Sequence, residues 1–335
     1  MKKAFAKLFA GALMLSASLA VSANGYSNVY VFGDSLSDNG NLSALDPNAP
    51  TRFTNGPVAA EVIAGAFGVA LTPSNHLLGG TSGNNFAIAG AKAIDEDGNE
   101  ATPDINLPTQ VNAFLQIQGG SAPSDALYIV LIGGNDIRAA REIRAQGMLA
   151  DSPHERQAAR EAARESIRTA VLSQQAQIAK LISAGAQHIL VANAPDIGAI
   201  PETDLVSAQI GALAETNAET RKAARIPKVT TKLSAKYNRI LARKVGRLEH
   251  QSGLDIVEFD LFGFLTEQVD AAEDLGYTNT DDACIYIFSQ GGVVNPECAD
   301  FPVATGFLFW DEIHPTTFAH QNAGVAMIEA LLDNE

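Results

Sequence analysis

The sequence predicts an α/β fold in which a parallel sheet carries helices on both faces. Five short runs rich in β-branched and aliphatic residues have the length of buried strands: Val29–Phe32, Asn85–Ala89, Leu127–Ile132, His188–Ala192 and Asp255–Phe259. Segments of helical periodicity lie between several of them, and that alternation is the pattern of strands paired in parallel through crossovers. No Pro/Ser linker and no internal repeat interrupts the chain, so it reads as one domain with loop insertions.

Taken in order, Val29–Phe32 is an apolar run that stops at Gly33 and empties into the polar loop GDSLSDNGN. Gly56–Phe67 has helical spacing. Asn85–Ala89 is the second strand and ends at Gly90. Leu127–Ile132 breaks at Gly133-Gly134. Arg156–Ser183 is rich in Ala, Glu, Arg and Gln, and Gly185 just beyond it is a C-cap residue. Lys228–His250 places Leu233, Tyr237, Ile240, Leu241, Val245 and Leu248 on one helical face. Gln321–Leu332 is the closing helix. Two stretches read as insertions. Arg138–Arg168 holds seven arginines among several acids and is expected to be a solvated helical face with intrahelical ion pairs. Ala271–Phe301 is expected to be a long irregular loop.

The first 23 residues are set apart. Three lysines, an apolar core from Leu8 to Val21 and small residues before Ala23 have the form of a secretory signal peptide. Their apolar run is shorter than the roughly 20 residues a bilayer needs. The mature domain is therefore 24–335. The whole chain carries a formal charge of −15, and losing three lysines takes it further negative. That excludes a basic nucleic-acid-binding face as the general design and suits a soluble exported protein. Two cysteines, Cys284 and Cys298, in an exported chain suggest one disulfide, with two buried thiols as the alternative.

In parallel sheets, ligands sit beyond the carboxyl ends of the strands. Three predicted strands end there in unusual residues: Ser35 in GDSLSDNGN, Gly90 after NNFAIA, and Asn135-Asp136 in GGNDIR. Near the carboxyl terminus, FLFWDEIHPTTFAH puts Asp311 and His314 three residues apart. A carboxylate on one ring nitrogen fixes the imidazole tautomer and leaves the other nitrogen as a base, which a serine alcohol needs before it can attack.

These blocks, in this order, resemble the SGNH or GDSL family of serine ester hydrolases. The resemblance covers nearly the whole mature chain and implies a three-layer α/β/α flavodoxin-like fold with a five-stranded parallel sheet. It also implies Ser35 as nucleophile, His314 as base and Asp311 as its orienting acid, with an oxyanion hole from the Ser35 and Gly90 amides and the Asn135 side chain. Relatives often have Gly-Gly where this chain has Ala89-Gly90, so the second backbone donor is Gly90 or Ala89. Asp34 and Asp38 are expected to bind the loop's own backbone. VANAPDIGAIP at 191–201 and the cysteine pair before FWDEIHPT resemble a secreted bacterial branch that includes phospholipases, haemolysins and autotransporter esterases. Autotransporter relatives continue into a membrane barrel. This chain stops 21 residues after His314, which favours a free enzyme, periplasmic or released.

The expected activity is hydrolysis of carboxylic or lipid esters, including lysophospholipids, with no cofactor or metal and without stable membrane insertion. Carbohydrate O-acetyl esterase action and a non-catalytic secreted binding module are the alternatives. Phe301, Phe307, Phe309 and Trp310 are candidates for an acyl pocket or an ordinary core strand. The acidic run Asp95–Glu100 lacks the ligand register of a calcium loop and reads as a surface turn.

Overall fold

A computed structural model of the chain describes residues 25–95, 98 and 103–334. The signal-like segment and most of the acidic run 95–100 lie outside the described residues. Four strands, β1 (Val29–Gly33), β2 (Leu127–Leu131), β3 (His188–Ala192) and β4 (Ile256–Phe259), form a parallel sheet in that order.

The alternation of side chains splits the apolar residues into two cores. Tyr30, Phe32, Tyr128, Val130, Ile189 and Val191 face one side, and Val29, Val31, Leu127, Ile129, Leu131 and Leu190 face the other. Twelve helices are described: α1 (Asn41–Leu45), α2 (Ala59–Ala66), α3 (Leu107–Ile117), α4 (Gly134–Leu149), α5 (Pro153–Ala184), α6 (Pro201–Ala212), α7 (Asn217–Ala223), α8 (Ile226–Ser252), α9 (Leu261–Asp270), α10 (Ala272–Leu275), α11 (Ile287–Gln290) and α12 (Thr317–Asp333). The first face is covered by α3, α4, α5 and α8 through Phe114, Ile137, Ile178 and Leu241. The second is covered by α2, α9 and α12 through Ile63, Leu261 and Met327. Each such side chain, fully buried, adds about 1.5–3 kcal/mol. This is the three-layer arrangement expected.

The fifth strand takes a different form. Phe86 and Ile88 donate to the Val31 and Gly33 carbonyls at 2.8 and 3.2 Å, so the segment lies along β1 as a parallel partner would. Its outer edge is bound by side chains. Asn41 Nδ2 donates to the Asn85 and Ala87 carbonyls, both at 2.8 Å, and the Ala89 amide donates to Asp38 Oδ2 at 2.8 Å. Beside these side-chain partners the segment makes no regular ladder, only isolated bridges from Asn85 to Val31 on one side and Pro73 on the other.

The two insertions also differ from expectation. Arg138–Arg168 forms most of α4 and the first half of α5, two helices packed as a pair. A capping box between Ser152 and Glu155 starts α5, and Gly185 ends it in the left-handed region at φ 119°. The stretch is not wholly solvated. Arg141 is buried, and its Nη1 donates to Glu202 Oε2 and Thr203 Oγ1, both at 2.8 Å. The 271–301 stretch holds small elements: β5 (Asn279–Ala283), β6 (Ile285–Tyr286) and β7 (Val293–Val294), with β5 pairing β8 (Phe307–Phe309) and β6 pairing β7. Cys284 and Cys298 are disulfide-bonded with Cα atoms 5.2 Å apart. Among the described residues no helix is long and apolar enough to cross a membrane.

Two expectations follow from these buried groups. The bridge closes a segment with a sequence separation of 14, which in the chain-entropy model is worth about 3 kcal/mol. Cys284→Ser with Cys298→Ser is expected to lose about that much stability in urea titration, and an unchanged midpoint would contradict it. Asp136, at the start of α4, is buried with Oδ1 unpartnered, and burial pushes its carboxyl from 3.8 up to about 7. Between about pH 4 and about pH 7 the folded state therefore keeps a proton that the unfolded chain has released, so stability falls as pH rises through that window. The variant Asp136→Asn removes this slope and should gain on wild type in melting temperature from pH 4 to pH 7. A constant gap would contradict the buried-acid account.

Candidate active site

The carboxyl end of β1 is held by α3. Gln110, fully buried, accepts from the Gly33 amide at 2.9 Å and donates to its carbonyl at 2.8 Å. Gly33 has no room for a side chain, because a Cβ there would lie 2.4 Å from the Leu131 carbonyl oxygen. The chain turns at once: Ser37 and Asp38 amides donate to the Asp34 carbonyl at 3.0 Å each, and Leu36 donates to Asp34 Oδ1 at 3.1 Å. Ser35 is presented at the top of this turn. Burial pushes the Asp34 carboxyl up to about 6, against the pull of those amides.

Asp38 binds the loop as its position suggested. It accepts from the Gly40 and Asn41 amides through Oδ1 and from Leu42 and Ala89 through Oδ2. The bond to Ala89 bears on the open choice of backbone donor. It occupies the Ala89 N–H, whereas the amides of Gly90 and Ser35 have no partner among the described residues.

His314 arrives from β8 through a tight turn. Its carbonyl accepts from the Trp310 amide at 2.8 Å, and Thr316 ties the turn to β8 and caps α12. Nε2 of His314 lies 2.8 Å from Ser35 Oγ, and Nδ1 lies 2.8 Å from each carboxylate oxygen of Asp311. Asp311 Oδ1 also accepts from the Ile313 and His314 amides at 2.8 Å each. All three side chains are buried, so the chain of contacts is sheltered from competing water. The Phe53 ring flanks the imidazole at 5.2 Å and Phe288 at 6.3 Å.

Asn135 sits in the first turn of α4. Gly133, just ahead, adopts φ 125° against Tyr237, whose ring would clash with any Cβ. One amide hydrogen of Asn135 goes to the Ala91 carbonyl at 2.9 Å, and the other has no partner among the described residues. Its oxygen accepts from Arg138 Nη1 at 3.0 Å, which fixes the orientation of the amide. Arg138 is in turn forked onto Glu202 of α6, with Nε donating to Oε2 at 2.9 Å and Nη2 pairing with Oε1. Neither Gln110 nor the Arg138–Glu202 pair was singled out in the sequence. Arg138 stands three residues after Asn135, a spacing that puts both on one helical face and was the available signal.

A cleft of about 750 Å³, mouth included, opens beside Ser35. Its wall is mainly apolar, with Leu131, Ile197, Ile200, Leu261, Phe264 and Met327 prominent. Of the four aromatic candidates only Phe309 lines it. Phe307 packs with the disulfide, and Trp310 stacks on Phe301 with centroids 5.3 Å apart. His320 also borders the cleft. Its Nδ1 accepts from the Ala59 amide at 3.3 Å and burial pushes its pKa down to about 3, so it stands neutral as a structural acceptor. Among the described residues no three His, Cys, Asp or Glu side chains converge as a metal site.

Comparison with known proteins places the chain in a family. The family model described as GDSL-like Lipase/Acylhydrolase matches residues 29–327. The chain is 28% identical to Lipase 1 of Photorhabdus luminescens, over 96% of this chain and 52% of that protein. It thus spans about half the length of that relative. It is 26% identical to a phosphatidylcholine-sterol acyltransferase of Aeromonas hydrophila, over 96% and 94% of the two chains. Similarity to the thermolabile hemolysin of Vibrio parahaemolyticus is 24%, over 90% and 63%. Among solved structures, an extracellular lipase of Streptomyces rimosus aligns at 14% identity with a TM-score of 0.39, covering 92% of this chain and 99% of that one. The chain belongs to the GDSL-like Lipase/Acylhydrolase family.

Proposed function

We propose that the protein is an exported serine hydrolase of carboxylic and lipid esters, acting through an acyl-enzyme on Ser35. The observation that carries this reading is the continuous contact chain Ser35–His314–Asp311, with both links at 2.8 Å. His314 Nε2 takes the Ser35 proton as Oγ attacks the ester carbonyl. Asp311 holds Nδ1–H and stabilises the imidazolium that forms. The carbonyl electron pair moves onto oxygen, where the Ser35 and Gly90 amides and Asn135 Nδ2 receive it. The tetrahedral intermediate collapses, the carbon–oxygen bond to the leaving group breaks, and His314 returns the proton to the departing alcohol. Water repeats the sequence on the acyl-enzyme and frees the acid.

The cleft supports an acyl chain rather than an acetyl group alone. Its wall is mainly apolar, with Leu131, Ile197, Leu261, Phe264 and Met327 beside Ser35, a lining that suits an aliphatic chain. An acetyl ester needs little of that surface, which disfavours deacetylation of carbohydrate. The name of the Aeromonas relative points to phosphatidylcholine for that protein, and by likeness supports a glycerophospholipid or lysophospholipid ester here. The lysine-led apolar leader and the disulfide support export, to the periplasm or beyond. A non-catalytic binding module would not need an imidazole within reach of a serine hydroxyl.

The deciding experiment pairs a fluorophosphonate probe with nitrophenyl esters of graded acyl length. Wild type is expected to be labelled and to prefer medium over acetyl chains, while Ser35→Ala is not labelled. Absence of labelling in folded wild type would favour the binding module, and a sharp acetyl preference the carbohydrate reading. Separately, Asn135→Ala is expected to lower kcat by roughly 10²–10³-fold with little change in KM. Near wild-type turnover would remove Asn135 from the oxyanion hole.

A further inference from the structure

A second concave feature lies where α4, α5, α7 and α8 meet. It is an open groove lined by seven basic side chains, Arg144, Arg156 and Arg160 from one helix pair and Lys222, Arg225, Lys228 and Lys232 from the other side. Only Gly147, Met148 and Val229 complete its wall, and no acid does. In a chain with 38 acids against 23 lysines and arginines this is a strong local reversal of charge. Among the described residues none of the seven forms an ion pair with a carboxylate. The neighbouring acids are committed elsewhere: Glu155 and Glu219 close capping boxes with Ser152 and Thr216, and Glu161 accepts from Gln157. The cations press on one another, and the Arg144 guanidinium is pulled below its ordinary range by burial and by Arg160 and Arg164.

The groove faces the same end of the molecule as the catalytic cleft. Helix α4 starts beside Ser35 and reaches Arg144–Met148 after nine to thirteen residues past Asn135, which at 1.5 Å each is about 14–20 Å. The buried residues of α5 that cover the sheet run from Ala163 to Leu181. Its first turns therefore project past the carboxyl edge of the strands, the edge that carries Ser35. Exposed apolar side chains of the 287–303 stretch, Phe288, Val293 and Val303, lie in the segment whose Phe288 borders His314.

We propose that this groove binds the phosphate groups of anionic lipids and so seats the enzyme on a negatively charged lipid surface with its cleft towards the substrate layer. The preference for a lipid surface over a free polyanion rests on the ester-hydrolase reading. The net negative charge of the chain adds to it, since a long polyanion would run from the groove onto repelling surface. Each lysine or arginine held near such a surface adds to the attraction, so a row of them is cumulative.

The test reads binding alone, with the Ser35→Ala protein so that no lipid is consumed and the outcome stands apart from catalysis. Flotation is compared on vesicles of phosphatidylcholine and of phosphatidylcholine mixed with phosphatidylglycerol. Binding is expected only to the mixed vesicles and should weaken as salt is raised. Adding Arg160→Glu, Lys228→Glu and Lys232→Glu, all at exposed positions, should lower vesicle affinity roughly 100-fold. Melting temperature monitors folding. If the triple reversal unfolds, Arg160→Gln with Lys232→Gln is expected to give a smaller loss in the same direction. Equal flotation on neutral vesicles, or unchanged binding by the folded variants, overturns the proposal. Tighter binding of a duplex oligonucleotide than of mixed vesicles, lost in the same variants, also overturns it in favour of a polyanion site. Titration with inorganic phosphate separates the headgroup from the free ion: saturation by phosphate alone that releases no protein from vesicles overturns the lipid assignment.

Discussion

The contact on which the rest of the structure depends is the 2.8 Å approach of His314 Nε2 to Ser35 Oγ, across 279 residues of chain. No local preference brings these groups together. Ser35 is set by the end of β1, and the imidazole by a turn leading from β8 into α12. The two strands belong to different sheets. Their alignment is carried by the packing of α2 against α12, both on the second face of the main sheet, and Gly324 of α12 sits where a Cβ would strike Val62 of α2. A hydrogen bond contributes only about 1 kcal/mol net, so it cannot itself hold two such segments. The fold fixes the segments, and the bond reports that their placement is right.

The same reasoning explains why so polar a loop follows so apolar a strand. Asp34, Asp38, Asn39 and Asn41 are buried. Burial without partners would cost several kcal/mol for each group. Here the carboxylate of Asp38 collects four backbone amides, and Asn41 binds the Asn85 and Ala87 carbonyls on the outer edge of the 85–88 segment, the first shared with the Ser74 amide. One set of side chains thus closes the sheet edge, shapes the Ser35 turn and fixes the Ala89–Gly90 corner. Ser35 and the amides near it are built from a common scaffold.

That division decides what could be read from sequence. Apolar runs mark a strand buried on both faces with few alternatives, so β1 to β4 were placed to within a residue at their ends. Ser35, Asn135, Asp311 and His314 stand out because each is a reactive or amide side chain just after a glycine break or before a proline. Helices α3 and α6 are not separated from loops, and the helical stretch expected over 138–168 is not divided into α4 and α5. α4 begins immediately on the glycines that end β2, and the arginines along α4 look like surface residues until Glu202, 64 and 61 residues away from Arg138 and Arg141, supplies their partner. Gln110 is likewise an ordinary helix residue whose bonds to Gly33 span 77 residues. The missing term was long-range satisfaction of polar groups, which composition does not encode. The regularity of the fifth strand failed for the same reason.

Charge inside this enzyme serves placement more than stability. A buried ion pair often gains little over apolar packing, but losing one partner strands the other at about 3–5 kcal/mol. Glu202 receives both Arg138 and Arg141, and its backbone amide donates to the Glu312 carbonyl at 2.7 Å. Glu312 is fully buried and accepts from the Ile287, Phe288 and Ser289 amides at the start of α11. A continuous polar path therefore runs from the Asn135 amide through Arg138, Glu202 and Glu312 to the segment carrying Phe288. It ties the Asn135 side of the cleft to the aromatic ring of Phe288 beside the imidazole. Each member is held by at least two partners, so removing any one of them leaves a polar group on each neighbour without its partner, at about 1–3 kcal/mol for each one buried.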